Sequence, residues 1–236
     1  MRGPTFFAID WSGARRPRGI WLAAVRDGEL VESRAVATRE EVVAELAIQT
    51  ERVVAGLDFS FGVPAWFADE LGCSTVEQVW ARAAVDGERW LHPTLPFWRN
   101  RCEVPVERRF RQCELRFPTA KSVFQLVGNG QVGAGSVRGM PLLGELRAAG
   151  YAIWPFDAAG PRTALEIYPS ALRKLRPEEE RFESPHERDA VSSAWVLWEH
   201  RDEIARLSEA RDPLIRLEGD VWTPSGRPTA SPSAAR

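Results

Sequence analysis

The chain has 236 residues, 44% hydrophobic and 27% charged, which is the balance of a globular protein with enough chain to bury one sizeable core. Its formal net charge of -2 excludes nucleic-acid binding by overall polycationic character, so any such contact needs a local basic patch. The three cysteines, Cys73, Cys102 and Cys113, form no CxxC pair, which argues against a disulfide framework or structural zinc and for reduced cytosolic thiols.

In chain order, Thr5 to Asp10 predicts a strand apolar on both faces until its last residue, with Phe6, Ala8 and Asp10 on one side and Phe7 and Ile9 on the other. Met1-Arg-Gly-Pro4 ahead of it has no apolar leader core, and no stretch reaches the roughly 18 apolar residues of a membrane span. The expectation is a cytoplasmic protein with no membrane partner. Trp11-Ser12-Gly13 breaks the first strand. Gly19 to Val25 and Leu30 to Ala37 read as two more, joined by the hairpin signal Asp27-Gly28. Thr38 caps a helix to about Thr50, with Glu41 completing a capping box. Val53 to Asp58 is a fourth buried strand, predicted to lie parallel to the first after the helical crossover.

Residues from about 60 to 160 read as an insertion folded against the sheet. It holds a helix at Ser74 to Val85, an Arg-, Pro- and aromatic-rich stretch at Trp90 to Lys121, a strand at Ser122 to Val127, a Gly-rich run, and a helix at Pro141 to Ala149. Thr163 to Tyr168 is the fifth strand, followed by a short helix from Ser170 to about Leu175. Ser184-Pro185-His186-Glu187 starts a helix predicted to run to about Leu207. From Thr223 the chain reads as a disordered Pro/Ser/Ala-rich tail. The whole is a single α/β domain over residues 1–222.

Carboxylates at the ends of apolar strands need a partner, because an unpaired buried charge costs several kcal/mol. Asp10 closes the first strand, Asp58 the fourth, and Glu166 lies within the fifth. Asp189 stands in the second turn of the helix that starts at Ser184, three residues beyond His186 on the same face. Hard oxygen donors with no Cys suit magnesium or manganese. Four such acids converging on one edge would hold divalent ions that activate water and stabilise a departing oxyanion, with His186 moving a proton. The plain alternatives are a turn former or cap for each Asp and a first-turn helix residue for His186.

Four segments carry a resemblance: Phe7-Ala-Ile-Asp-Trp-Ser-Gly13, Leu57-Asp-Phe-Ser-Phe-Gly-Val-Pro64, Glu166-Ile-Tyr-Pro-Ser170 and His186-Glu-Arg-Asp-Ala190. In order and spacing they resemble an uncharacterised family of predicted ribonuclease-H-like nucleases, over residue 5 to about 222. The resemblance implies the ribonuclease-H-like fold, a five-stranded mixed sheet with three antiparallel strands and then parallel crossovers. It also implies Asp10, Asp58, Glu166 and Asp189 as metal-binding acids.

Residues 99–121 carry seven basic side chains against three acidic ones, interleaved with Trp98, Phe110 and Phe117. Arg108, Arg109, Arg111 and Lys121 are the candidates for tracking a phosphate backbone, with Ser12 near the first acid. The alternative is a solvated loop paired with Glu103, Glu107 and Glu114. Gly128-Asn-Gly-Gln-Val-Gly133 matches GxGxxG but has no acid at the expected distance, and Ala134 to Gly139 separates it from the helix expected at Pro141. The leading expectation is thus a metal-dependent nuclease. A nucleotide-dependent phosphotransferase and a non-catalytic binding protein of the same fold are its rivals.

Overall fold

The computed structural model describes residues 3–16, 19–92, 96–98, 103–127, 132–173 and 181–225. Its centre is a mixed sheet in the order β3-β2-β1-β4-β6-β5. The strands are β1 (Thr5–Asp10), β2 (Ile20–Arg26), β3 (Glu29–Val36), β4 (Val53–Leu57), β5 (Ala152–Trp154) and β6 (Arg162–Glu166). The first three are antiparallel; β4 runs parallel to β1, β6 to β4 and β5 to β6. The sheet has six strands, not the five expected. The addition, β5, has three residues before Pro155, too few to show a period of two.

The helices are α1 (Arg39–Ala47), α2 (Ala65–Glu70), α3 (Val76–Trp90), α4 (Val132–Ala148), α5 (Pro169–Leu172), α6 (Pro185–Glu199), α7 (Arg201–Ile204) and α8 (Pro213–Glu218). The caps fall where the side chains allow: Thr38 accepts from the Glu41 N–H, Thr75 from Gln78 and Ser184 from Glu187. Asp27 and Gly28 both take positive φ, 51° and 78°, as the tight β2–β3 turn demands. The helix predicted to reach Leu207 stops at Glu199, and α7 continues after His200.

Alternation along the strands divides the core. Phe7, Ile9, Ala55, Leu57 and Ala164 share one cluster with residues of α1, α3 and α4. Phe6, Ala8, Val54, Leu165 and Ile167 share the other with Ala190, Val191, Ala194 and Leu197 of α6. The inserted region belongs to the first cluster through Phe67, Trp80, Phe97, Phe124 and Phe156, so it covers that face of the sheet.

The expected strand at Ser122 to Val127 is a single bridge between Trp98 and Gln125. The helix expected from Pro141 starts at Val132, and Pro141 lies inside it. Pro signalled a first turn, yet the glycines ahead of it serve close packing. A Cβ on Gly139 would fall 2.6 Å from the Phe59 ring, and one on Gly13 would fall 2.6 Å from the Gly135 nitrogen. Of the Gly-rich run, 128–131 lie outside the described residues, as do 226–236 of the expected tail and Arg99, Arg101 and Cys102 of the basic stretch.

Candidate functional site

Parallel pairing of β1, β4 and β6 brings their C-terminal ends to one edge. Ile9 pairs with Leu57 and Leu57 with Glu166. The Asp58 N–H donates to the Ile9 carbonyl at 3.1 Å and extends the ladder one residue further. Asp10 and Asp58 therefore share a register position and, by alternation, the face covered by α6. Glu166 pairs with Leu57 and follows Ala164 onto the opposite face. It is the last residue of β6, not a mid-strand one.

On the α6 face, Asp10 is buried and its Oδ2 lies 2.6 Å from His186 Nδ1. His186 is the second residue of α6, and its ring covers Gly19, where a Cβ would fall 2.7 Å from Nε2. Burial and the nearby Asp189 push the Asp10 carboxyl up to about 8. Burial, then Asp10, Asp189 and Glu166, push Asp58 well above the usual carboxylate range. Among the described residues nothing donates a hydrogen bond or pairs a charge to the Asp58 carboxylate. Asp189 accepts from Arg173 Nη1 at 2.6 Å, with Arg188 Nε at 3.5 Å.

Glu166 is spent elsewhere. Its Oε2 accepts from the Phe61 N–H at 2.8 Å and Arg111 Nη1 at 2.9 Å, and its Oε1 accepts from Arg111 Nη2. Arg111, 1% exposed, also donates Nε to Glu114 at 2.9 Å and Nη1 to the Glu218 carbonyl at 2.9 Å. Glu218 in turn accepts from the N–H groups of Ala65 and Gln112, both at 2.7 Å. This buried hub holds the inserted chain to the sheet edge. Beside it a cavity of about 40 Å³, bounded by Asp58, Arg111, Glu166, Lys121 and Tyr168, has room for a water but not a nucleotide.

The expected substrate arginines are corrected in the same way. Arg111 is the buried ion-pair partner of Glu166 and Glu114. Arg108 donates to Glu70 at 2.9 Å, with its guanidinium 3.9 Å above the Trp66 ring. Arg109 donates to the Val104 carbonyl at 2.8 Å. These side chains hold the insertion together, because a guanidinium drawn into protein must find carboxylates or carbonyls. Lys121 alone is exposed at the acidic edge, on the cavity rim. Ser12 is buried, and its Oγ accepts weakly from the Ala14 N–H at 3.4 Å.

The structure thus places Asp10, Asp58 and Asp189 within electrostatic reach of one another, with His186 on Asp10, and puts Glu166 on the opposite face from Asp10. Among the described residues no three His, Cys, Asp or Glu side chains are already grouped to hold a metal ion. Three mutually repelling aspartates have the hard-oxygen chemistry that fits magnesium or manganese, and Asp58 is open to one. Glu166, saturated by Arg111 and an amide, does not fit. Sequence reasoning missed Glu218 and Asp220, which anchor Arg111 and Arg116, and it missed Arg39 and Arg138, which hold the β1–β2 loop. None stands in a recognisable motif.

Among the described residues no helix is long and apolar enough to cross a membrane. No protein-family model, curated protein or solved structure matches the chain.

Proposed function

We propose that the chain is a divalent-cation-dependent hydrolase of nucleic-acid phosphodiester bonds with a ribonuclease-H-like fold, using Asp10, Asp58 and Asp189 as its cation ligands. The observation that carries this reading is the Asp58 carboxylate, without a donor or counter-ion among the described residues and close enough to Asp10 and Asp189 to be repelled by both. Burying like charges together is unfavourable unless a cation joins them. The strand order supports the fold assignment. Three antiparallel strands followed by β4 and β6 in parallel reproduce the arrangement the four sequence segments imply, with β5 added at the edge.

A bound magnesium or manganese ion supplies Lewis-acid activation of water and neutralises charge on the phosphate. The protein's own groups do the rest. Asp58 presents an unspent carboxylate, Arg173 orients Asp189, and His186 exchanges a proton with Asp10 Oδ2.

The test is cleavage of end-labelled DNA and RNA, single- and double-stranded, in Mg²⁺, Mn²⁺ and EDTA. Cation-dependent cleavage by the wild type that is lost in Asp58→Asn is expected. Failure of every substrate in both metals would sink the reading. The second reading, a non-catalytic protein of the same fold, is favoured by one observation. Arg111 already neutralises Glu166, so one of the four expected acids carries no cation.

A further inference from the structure

The loop that follows Asp10 is held in an unusual way. Three consecutive carbonyls, those of Ser12, Gly13 and Ala14, are all taken by guanidinium groups. Arg39 donates Nε at 3.0 Å and Nη2 at 2.5 Å to Ser12, and Nη2 also to Ala14. Arg138 Nη1 donates to Gly13. In a trans peptide the next residue's N–H points opposite to the carbonyl. The N–H groups of Gly13 and Arg15 therefore face away from Arg39, and among the described residues neither donates to anything. The Ala14 N–H between them turns back to Ser12 Oγ, which leaves two amide donors in one loop available to an anion.

The same loop walls a cavity of about 380 Å³ that lies against α3 and α4, bounded by Gly13, Ala14, Arg15, Glu88, His92 and Arg138. Its charge is mostly positive. Arg15 is exposed and makes no ion pair among the described residues, and Arg39 is 6% exposed with only carbonyls as partners. The acids nearby are Glu88, which binds Arg138 at 2.7 and 3.0 Å, and Glu40, which acts on Arg39 from α1. Glu88 is held below the usual carboxylate range first by its hydrogen bond from Arg138 and then by the charges of Arg138, Arg15 and Arg39.

We propose that this cavity binds a phosphate group of the substrate, gripped by the Arg15 guanidinium and the amides of Gly13 and Arg15, with Arg138, held by Glu88 and the Gly13 carbonyl, as part of the wall. The inference rests on the nucleic-acid reading above and supplies an exposed guanidinium with no ion-pair partner among the described residues, where Arg108, Arg109 and Arg111 are committed to carboxylates or carbonyls. Gly13 follows Asp10 by three positions, a Cα reach of at most about 11 Å.

The experiment is fluorescence anisotropy of the whole wild-type chain with a labelled 12-mer single strand in EDTA, over a range of salt. No cleavage is needed, so its failure is distinguishable from failure of the metal site. Each phosphate contact contributes about 0.7 to the slope of log affinity against log salt for single strands. Arg15→Ala is expected to lower the slope by about 0.7 and weaken binding at every salt. Arg108→Ala, which removes a guanidinium committed to Glu70, is expected to leave both unchanged. Tripolyphosphate should compete with the strand in the wild type and not in Arg15→Ala. If the strand does not bind but tripolyphosphate does so through Arg15, the pocket stands and its source is a free nucleotide. Equal slopes for wild type and Arg15→Ala, or no binding of either probe, overturn the inference.

Discussion

Arg111 donates to both carboxylate oxygens of Glu166, and the pair lies on the opposite face of the sheet from Asp10. A buried guanidinium that leaves removes compensation from two acids at once, because its Nε also bonds Glu114. Arg111→Met is therefore expected to cost about 3–5 kcal/mol, the usual penalty for orphaning a buried charge. Glu166→Gln should cost less, since Glu114 and the Glu218 carbonyl continue to hold Arg111. Glu166→Gln should also retain any Mn²⁺-induced rise in Tm, measured by calorimetry. A folded Glu166→Gln protein that no longer responds to Mn²⁺ would return Glu166 to the cation site.

Asp58 is the opposite case, a carboxylate with company but no partner. Asp58→Asn removes a charge that burial, Asp10, Asp189 and Glu166 all disfavour. The metal-free variant should therefore be more stable than the wild type at neutral pH. It should lose the Mn²⁺-linked rise in Tm, which follows from mass action on the folded state alone. The check is Tm in EDTA and over a Mn²⁺ titration. A variant less stable in EDTA, with its Mn²⁺ response intact, rules Asp58 out as a ligand.

The contrast between these two acids shows what the sequence could be made to yield. Apolar strands ending in Asp predicted that Asp10 and Asp58 meet at one edge, and the ladder from Ile9 to Leu57 places them there. The face of Glu166 was legible only with the register. Its alternation with Leu165 and Ile167 was plain, but whether those residues lay on the Asp10 side depended on pairing Leu57 with Glu166. The hub around Arg111 was illegible because Glu166 and Glu218 lie 55 and 107 residues beyond it, with no local period to announce them. The Arg-rich stretch pointed to a nucleic-acid surface by composition, whereas what decides the role of an arginine is the carboxylate or carbonyl it finds. For a similar reason the sequence announces only the Pro141 end of the helix at Val132–Ala148, since glycines that serve close packing look like loop residues.

Asp10 sets a pH dependence. Its carboxyl is pushed from 3.8 up to about 8 by burial and Asp189, with His186 and Asp58 the other titratable groups against it. The folded state binds the proton more tightly than the unfolded chain. The stabilisation is complete below about pH 4 and is lost as pH rises through about 8. Metal-free protein should lose stability across that window by up to about 1.4 kcal/mol per pH unit from this group. Urea unfolding in EDTA between pH 5 and 8.5 reads it as a slope steeper in the wild type than in Asp10→Asn. Parallel slopes would falsify the assignment.

His186 has two jobs that pull in different directions. Its Nδ1 closes Asp10 Oδ2 at 2.6 Å, yet its side chain is 52% exposed and so reaches bulk water. If it only closed the site, His186→Ala would free Asp10, strengthen the Mn²⁺ response in Tm and leave turnover unchanged or faster. If it also moves a proton, the same variant binds Mn²⁺ more tightly but turns over more slowly by about 10² or more, the usual contribution of a positioned acid or base. We expect the second outcome, because a ring held by one nitrogen against a buried carboxyl and open to solvent along its edge is a proton path by geometry. Tighter Mn²⁺ binding with undiminished kcat leaves His186 a latch alone.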